Sequence, residues 1–133
     1  MAKVLGLGGV FFKAADPAKL GQWYATWLGL PVQAPYGAML PVADLPPGGS
    51  QVWAPFPADT KYFAPSTQPF MLNLIVDDVE GVLARAAEGG AQVMPERQAE
   101  AYGKFGWFVD PAGNKVEVWE PAGEAEGDGS AGA

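Results

Sequence analysis

The 133-residue chain contains no cysteine and no histidine. Without cysteine it forms no disulfide and offers no thiolate, a composition that fits a reducing compartment, so we expect a cytoplasmic location. Without histidine it has no Ser-His or Cys-His dyad and no His-x-x-x-His zinc helix. A metal site within one chain would depend on oxygen donors, which suit Mg, Mn or Ca better than Zn.

Basic residues and long apolar runs are also scarce. The chain has eight Lys and Arg residues and 15 Asp and Glu residues, which gives a net charge of −7. Nucleic-acid binding needs clustered basic residues for the phosphates, so this balance argues against it. No apolar run approaches the length of a membrane span. We therefore expect a small-molecule ligand and neither nucleic acid nor membrane as a partner.

Two halves of the chain repeat one order of elements, at an offset of about 62 residues. The first half predicts a strand over Val4–Phe12, a helix from Asp16-Pro17 to Gly29, and short strands near 30–35, 38–43 and 50–55. The second half predicts a strand over Phe70–Val76, a helix from Asp77-Asp78 to Gly89-Gly90, and strands near 91–94, 104–109 and 115–119.

The chain length predicts one domain. We assign it to residues 1–121, with modules over about 1–55 and 70–121. The linker over 56–69 is rich in proline and carries Phe56, Tyr62 and Phe63. We interpret it as an ordered crossover that packs on the domain and rims a pocket. Residues 122–133 carry no apolar anchor and are predicted to be disordered.

The stretch near the C-terminus carries the main candidate site. Asp110-Pro-Ala-Gly-Asn114 has the composition of a turn, and Lys115–Trp119 alternates as a strand does. Val116 and Val118 then share one face, and Glu117 and Trp119 share the other. A carboxylate beside an indole, on a strand whose opposite face is core, is a candidate site.

The same alternation on other strands predicts a mostly aromatic cleft wall, which is typical of small-molecule sites. Its residues are Phe11, Gln51, Trp53, Met71, Asn73, Glu117 and Trp119, with Phe105 and Trp107 as further candidates. Other interpretations stay open. The aromatic residues could fill the sheet, and Asn73 could be a buried, satisfied amide. Glu117 could be a solvated strand residue, or a carboxylate tied to Lys13 or to a backbone amide.

The chain resembles the vicinal oxygen chelate superfamily, which contains glyoxalase I, bleomycin- and fosfomycin-resistance proteins and extradiol dioxygenases. The resemblance spans residues 4–121. It rests on the repeated element order and on three pieces, Gly8-Gly-Val-Phe-Phe12, Leu28-Gly-Leu-Pro31 and Asp110-Pro-Ala-Gly-Asn-Lys-Val-Glu-Val-Trp119. Val52-Trp-Ala-Pro-Phe56 and Asp59-Thr-Lys-Tyr-Phe63 are similar to bacterial glyoxalase-like proteins of unassigned activity.

This resemblance implies an α+β fold, in which two tandem βαβββ modules form a half-open mixed β-barrel cleft with the helices outside. It also implies a homodimer. The four ligand positions of metal-binding members fall near Gly9, Trp53, Met71 and Glu117, and only Glu117 is a strong metal ligand. One protein ligand is too few to hold a divalent ion tightly. We therefore expect no cofactor, with a loosely bound divalent metal ion at Glu117 as the open alternative.

Three functions stay open. The first is a binding protein that takes a small organic molecule in the aromatic cleft, with Glu117 as a ligand-orienting carboxylate. Its predicted ligand-binding residues are Phe11, Gln51, Trp53, Met71, Asn73, Trp107 and Trp119. The second is a metal-independent or weakly metal-dependent lyase or isomerase, related to glyoxalases and dioxygenases, with Glu117 as the catalytic general base. The third is a small dimeric module whose cleft is vestigial.

Overall fold

A computed structural model describes residues 2–35 and 37–123. Its helices are α1 (Pro17–Leu28) and α2 (Val79–Glu88), with a short 3-10 helix over Val42–Asp44. Its strands are β1 (Val32–Gln33), β2 (Gly37–Ala38), β3 (Leu72–Ile75), β4 (Gln92–Glu100), β5 (Gly103–Val109) and β6 (Lys115–Pro121). Within these residues, no helix combines the length and the apolarity needed to cross a bilayer.

Both helices begin and end near the predicted residues. The Asp16 carboxylate accepts a hydrogen bond from the backbone N–H of Lys19 at 3.1 Å, and Pro17 occupies the first helical position. Gly29 ends α1 with a left-handed φ of 69°, which glycine adopts without steric cost. The Asp78 carboxylate caps α2 through the N–H of Gly81 at 3.1 Å. The predicted capping residues therefore mark the ends of both helices.

The second half forms the larger sheet, in the order β3-β6-β5-β4. β3 runs parallel to β6, and the other two pairs are antiparallel. With α2 between β3 and β4, this half has the predicted βαβββ order, and the α+β class is confirmed. β4 continues to Glu100, beyond the predicted end near 94, because its second part pairs with β5 across the hairpin.

One face of this sheet is the core. Phe108, Val116 and Val118 are fully buried beneath the two helices, and the alternation in β6 predicts this burial for Val116 and Val118. Leu20 and Tyr24 of α1 and Leu83 of α2 pack on them. The opposite face, called here the Glu117 face, carries two cross-strand rows, Asn73-Glu117-Trp107 and Ile75-Trp119-Phe105.

The first half differs from its prediction. Residues 4–12 and 50–55 form no strand, and β1 and β2 are two residues long each, so the strands predicted over 4–12 and 50–55 are wrong. Among the described residues, neither segment pairs with a strand in a hydrogen-bonded ladder. The glycines at 6, 8 and 9 also weaken an extended conformation. Neither sheet closes into a barrel within the described residues. Of the predicted C-terminal tail, residues 124–133 lie outside the part of the chain that the structure describes.

Candidate functional site

The Glu117 carboxylate accepts three hydrogen bonds from neutral side chains. The Tyr62 hydroxyl and the Trp107 indole N–H donate to Oε2 at 2.6 and 3.0 Å, and the Asn73 amide donates to Oε1 at 2.6 Å. Asn73 and Trp107 are the register partners of Glu117 on β3 and β5, which places all three side chains on one face. The sheet therefore supplies two donors, and the crossover supplies the third.

Tyr62 is held against the sheet by several contacts. The Lys115 ammonium donates to the Tyr62 carbonyl oxygen at 2.7 Å, and Ser66 donates to the Gly113 carbonyl oxygen at 2.6 Å. The Tyr62 ring stacks on Phe56 at 5.6 Å and meets Trp107 edge-on at 6.3 Å. Neither Tyr62 nor Lys115 is among the predicted site residues. The aromatic content of the proline-rich crossover is the sequence signal that points to Tyr62.

Burial and the neighbouring Glu117 carboxylate keep the Tyr62 hydroxyl protonated. Burial, and then the hydrogen bond and charge of Glu117, raise the pKa of Tyr62. The single hydroxyl proton is directed at Glu117, so the Tyr62 oxygen keeps its lone pairs as acceptors for another group. Burial lowers the pKa of Lys115, partly offset by the charges of Glu96 and Glu117. The Lys115 ammonium lies 5.2 Å from the centre of the Tyr62 ring.

A second aromatic cluster extends the Glu117 face. Phe105 and Trp119 stack in parallel with ring centres 6.0 Å apart, and Tyr102 meets Phe105 edge-on. The Trp119 indole N–H donates to the Tyr102 carbonyl oxygen at 3.0 Å, so this polar group is satisfied within the chain. Trp107 and Trp119 are each only 6% exposed. These rings therefore pack on one another beside the carboxylate, where Trp107 and Trp119 are buried.

The predicted wall residues fall into two groups. Asn73, Trp107 and Trp119 lie with Glu117 on one face, and Met71 lies half-buried directly before β3. Phe11 and Trp53 are 97% and 79% exposed, and the Gln51 side chain bonds both backbone groups of Leu7. The structure does not bring these three to Glu117, because the strands predicted to carry them are not formed.

A family model described as a glyoxalase-like domain matches residues 9–119. The chain belongs to the glyoxalase-like domain family, within the vicinal oxygen chelate superfamily. This confirms the resemblance that the motifs carry, and the match covers both halves of the chain. Comparison with curated proteins found no significant match.

The residues around Glu117 in this glyoxalase-like domain do not fit a divalent metal ion. The indole of Trp107 only donates hydrogen bonds, and the Asn73 amide directs its N–H group at the carboxylate. Within residues 2–35 and 37–123, no three Asp or Glu side chains come close enough to hold a metal ion. Glu117 is the one strong ligand in the cluster, and its oxygens already accept neutral donors.

The motif before β6 serves structure rather than chemistry. The buried Asp110 carboxylate accepts hydrogen bonds from the Tyr24 hydroxyl at 2.8 Å and from the Asn114 amide at 3.1 Å. Its other oxygen accepts the backbone N–H groups of Ala112 and Asn114, which closes the turn. Burial, and then the charge of Asp110, raise the pKa of Tyr24. Asp110 thereby joins α1 to the turn that begins the Glu117 strand.

The open clefts near the helices do not include Glu117. One lies between α1 and α2, where the Arg85 guanidinium rests over the Trp27 ring at 5.0 Å. Another runs beside Glu80 and Arg97 at the edge of the sheet. Arg97 is already engaged by the Glu80 carboxylate and by two backbone carbonyl groups. The chemistry on the sheet is therefore concentrated beneath Tyr62.

Proposed function

We propose that this glyoxalase-like domain binds a small organic molecule on the Glu117 face, where Glu117 orients the ligand. The observation that carries the proposal is the Glu117 carboxylate, which is held by three neutral donors from three separate segments. A carboxylate has about four lone-pair positions, so three bonds leave room for one more donor. The carboxylate is thus positioned before a ligand arrives, which lowers the cost of binding.

The surroundings favour a particular ligand chemistry. The stacked Phe56 and Tyr62 rings beside Glu117, which are 44% and 39% exposed, suit a planar or amphipathic molecule. The free position on Glu117 suits an N–H or O–H group on that molecule. A chain charge of −7 attracts a cationic ligand and disfavours an anionic one. A planar molecule that carries an amine or hydroxyl group meets all three conditions.

In this proposal both halves of the chain contribute to the binding cleft, since the family match spans residues 9–119. Binding proceeds without a stoichiometric metal ion, because Glu117 alone is too few ligands. Elemental analysis of the purified protein is expected to find no stoichiometric Zn, Ni, Fe or Mn. A tightly bound metal lost in Glu117→Gln would overturn this part.

The binding role is tested by thermal-shift screening of small planar compounds, followed by calorimetry of the best compound. Glu117→Gln keeps the shape of the side chain but removes its charge, and it is expected to weaken binding by about tenfold. Glu88→Gln, which alters an exposed carboxylate on α2, is the matched control and is expected to bind as the parent does. Equal affinities for all three proteins would reject the role of Glu117.

An enzymatic role is the second candidate, because the remaining lone pair of Glu117 could accept a proton. A general base beside a bound carbonyl compound would support lyase or isomerase chemistry. Should any such turnover be found, Glu117→Gln is expected to abolish it. Turnover that survives this substitution would exclude the base role while leaving ligand binding intact.

A further inference from the structure

Lys115 lies beside Glu117 on the same face of the sheet. Successive side chains of a strand point to opposite faces, and these two residues are two positions apart on β6. Their Cα atoms are therefore about 7 Å apart. Both residues are half-buried, whereas Val116 between them is fully buried in the core on the other face. A cationic and an anionic side chain thus stand next to each other on the Glu117 face.

The Lys115 ammonium is held in place, but no carboxylate contacts it. Its nitrogen donates to the Tyr62 carbonyl oxygen at 2.7 Å, and it lies 5.2 and 6.0 Å from the ring centres of Tyr62 and Trp107. Over residues 2–35 and 37–123, no carboxylate oxygen comes within 4.0 Å of this nitrogen. An ammonium group has three N–H donors, and the bond to Tyr62 uses one of them. The other two can donate to a ligand.

Glu117 supplies the complementary acceptor. Its three bonded donors are neutral, so they leave its charge in place and about one lone-pair position free. A hydrogen bond spans about 2.9 Å, so a donor and an acceptor on neighbouring atoms of one planar group can reach both side chains. An amide with an N–H group cis to its carbonyl oxygen has this arrangement. The stacked Phe56 and Tyr62 rings offer apolar surface to the rest of such a molecule.

We infer that Lys115 is a ligand-binding residue that acts with Glu117 to select planar molecules carrying a primary or cyclic amide. The inference rests on the proposed function and narrows its ligand class. Glu117 accepts from the amide N–H, and Lys115 donates to the amide carbonyl oxygen. A ligand that has only one of the two groups leaves a half-buried polar partner unmatched, which a site built from hydrogen-bonding groups penalises.

Three compounds that share one aromatic ring test this selection on the full chain. Benzamide carries both an N–H donor and a carbonyl acceptor, aniline carries only the donor, and acetophenone carries only the acceptor. In NMR titrations, we expect the parent protein to bind benzamide at least about tenfold more tightly than either of the others. Equal affinities for the three compounds would overturn the inference.

Substitution of Lys115 separates ligand binding from support of the crossover. Lys115→Met is expected to weaken benzamide binding about tenfold and to leave aniline binding unchanged, whereas Lys115→Arg retains charged N–H donors and should restore most of the affinity for benzamide. Lys104→Met is the matched control, because Lys104 is exposed on β5 and alternation places it on the face opposite Glu117. Equal losses for benzamide and aniline in Lys115→Met would show that Lys115 only holds Tyr62, which contradicts the inference.

The outcomes also separate this inference from the proposed function. Benzamide binding that weakens in Glu117→Gln but not in Lys115→Met overturns the role of Lys115 alone. The same holds if the three compounds fail while the thermal-shift screen yields a compound whose binding depends on Glu117. Absence of Glu117-dependent binding by every compound overturns both. Should Lys115→Met fail to fold, the ranking of the three compounds on the parent protein decides.

Discussion

Replacement of Glu117 by alanine tests the hydrogen-bond cluster at the centre of the candidate site. The substitution leaves the Trp107 indole N–H without a partner on a residue that is only 6% exposed, at a cost of about 1–3 kcal/mol. The Tyr62 and Asn73 donors lie nearer to water and lose about 0.5–1 kcal/mol each. We expect the free energy of unfolding to fall by about 2–5 kcal/mol.

Urea unfolding followed by tryptophan fluorescence measures this change. With a slope of about 2 kcal/mol per molar urea, the midpoint should fall by roughly 1–2.5 M. Glu117→Gln retains an acceptor and is expected to cost only about 1 kcal/mol. Glu88→Gln removes an exposed ion pair with Arg85, so it should change stability by less than about 0.5 kcal/mol. If Glu117→Ala unfolds at the same midpoint as Glu88→Gln, the three hydrogen bonds do not support the fold as described.

Three further predictions concern buried and titrating groups. Tyr24→Phe leaves one oxygen of the buried Asp110 carboxylate with a single hydrogen-bond partner. Calorimetric unfolding should therefore show that the free energy of unfolding falls by about 1–3 kcal/mol. An unchanged transition would contradict the buried hydrogen bond between Tyr24 and Asp110. Because burial lowers the pKa of Lys115, its ammonium should titrate at a lower pH than an exposed lysine, as measured by NMR of its side-chain carbon signals, and titration at the ordinary value would argue against that burial. Burial and Glu117 raise the pKa of Tyr62, so the native state retains its proton while the unfolded chain loses it above the ordinary value of about 10. The free energy of unfolding therefore decreases as pH rises above about 10. In urea titrations over this pH range, Tyr62→Phe should make the decrease with pH less steep. An equally steep decrease would indicate that the Tyr62 hydroxyl is exposed to water.

Local chemistry was sufficient to predict the second half of the fold. Asp78 and the glycines after α2 predict the helix ends, and the alternation in β6 predicts that Val116 and Val118 are buried. These signals depend on neighbours in sequence and on one pattern of burial. The strand predicted over residues 4–12 has the same apolar composition but no partner strand among the described residues. Composition indicates that a segment can form a strand, whereas a neighbouring strand determines whether it does.

In the candidate site too, contacts set by strand alternation were predicted and contacts that depend on the rest of the fold were not. The alternation of β3 and β6 predicts that Asn73 and Glu117 share a face, and the register confirms it. The aromatic crossover was predicted to rim a pocket, but the bond from Tyr62 to Glu117 was not predictable, because it spans 55 positions and depends on how the crossover folds back over the sheet. Lys115 was missed because its partner is the backbone carbonyl of Tyr62, which no side-chain pattern reveals. Contacts between side chains on neighbouring strands can be predicted from alternation, whereas contacts made by loop residues cannot.

The proposed binding of a ligand on the Glu117 face is tested most directly by the indole N–H signals of the five tryptophans. The Trp107 indole bonds Glu117, whereas the Trp23 indole bonds the Gly89 carbonyl oxygen on the helix side. In two-dimensional NMR titrations with the best compound from the thermal-shift screen, we predict that the Trp107 signal shifts with saturation while the Trp23 signal stays in place. We also predict that Glu117→Gln weakens this response. A titration that moves the Trp23 signal and leaves Trp107 unchanged would place the ligand elsewhere and contradict the account.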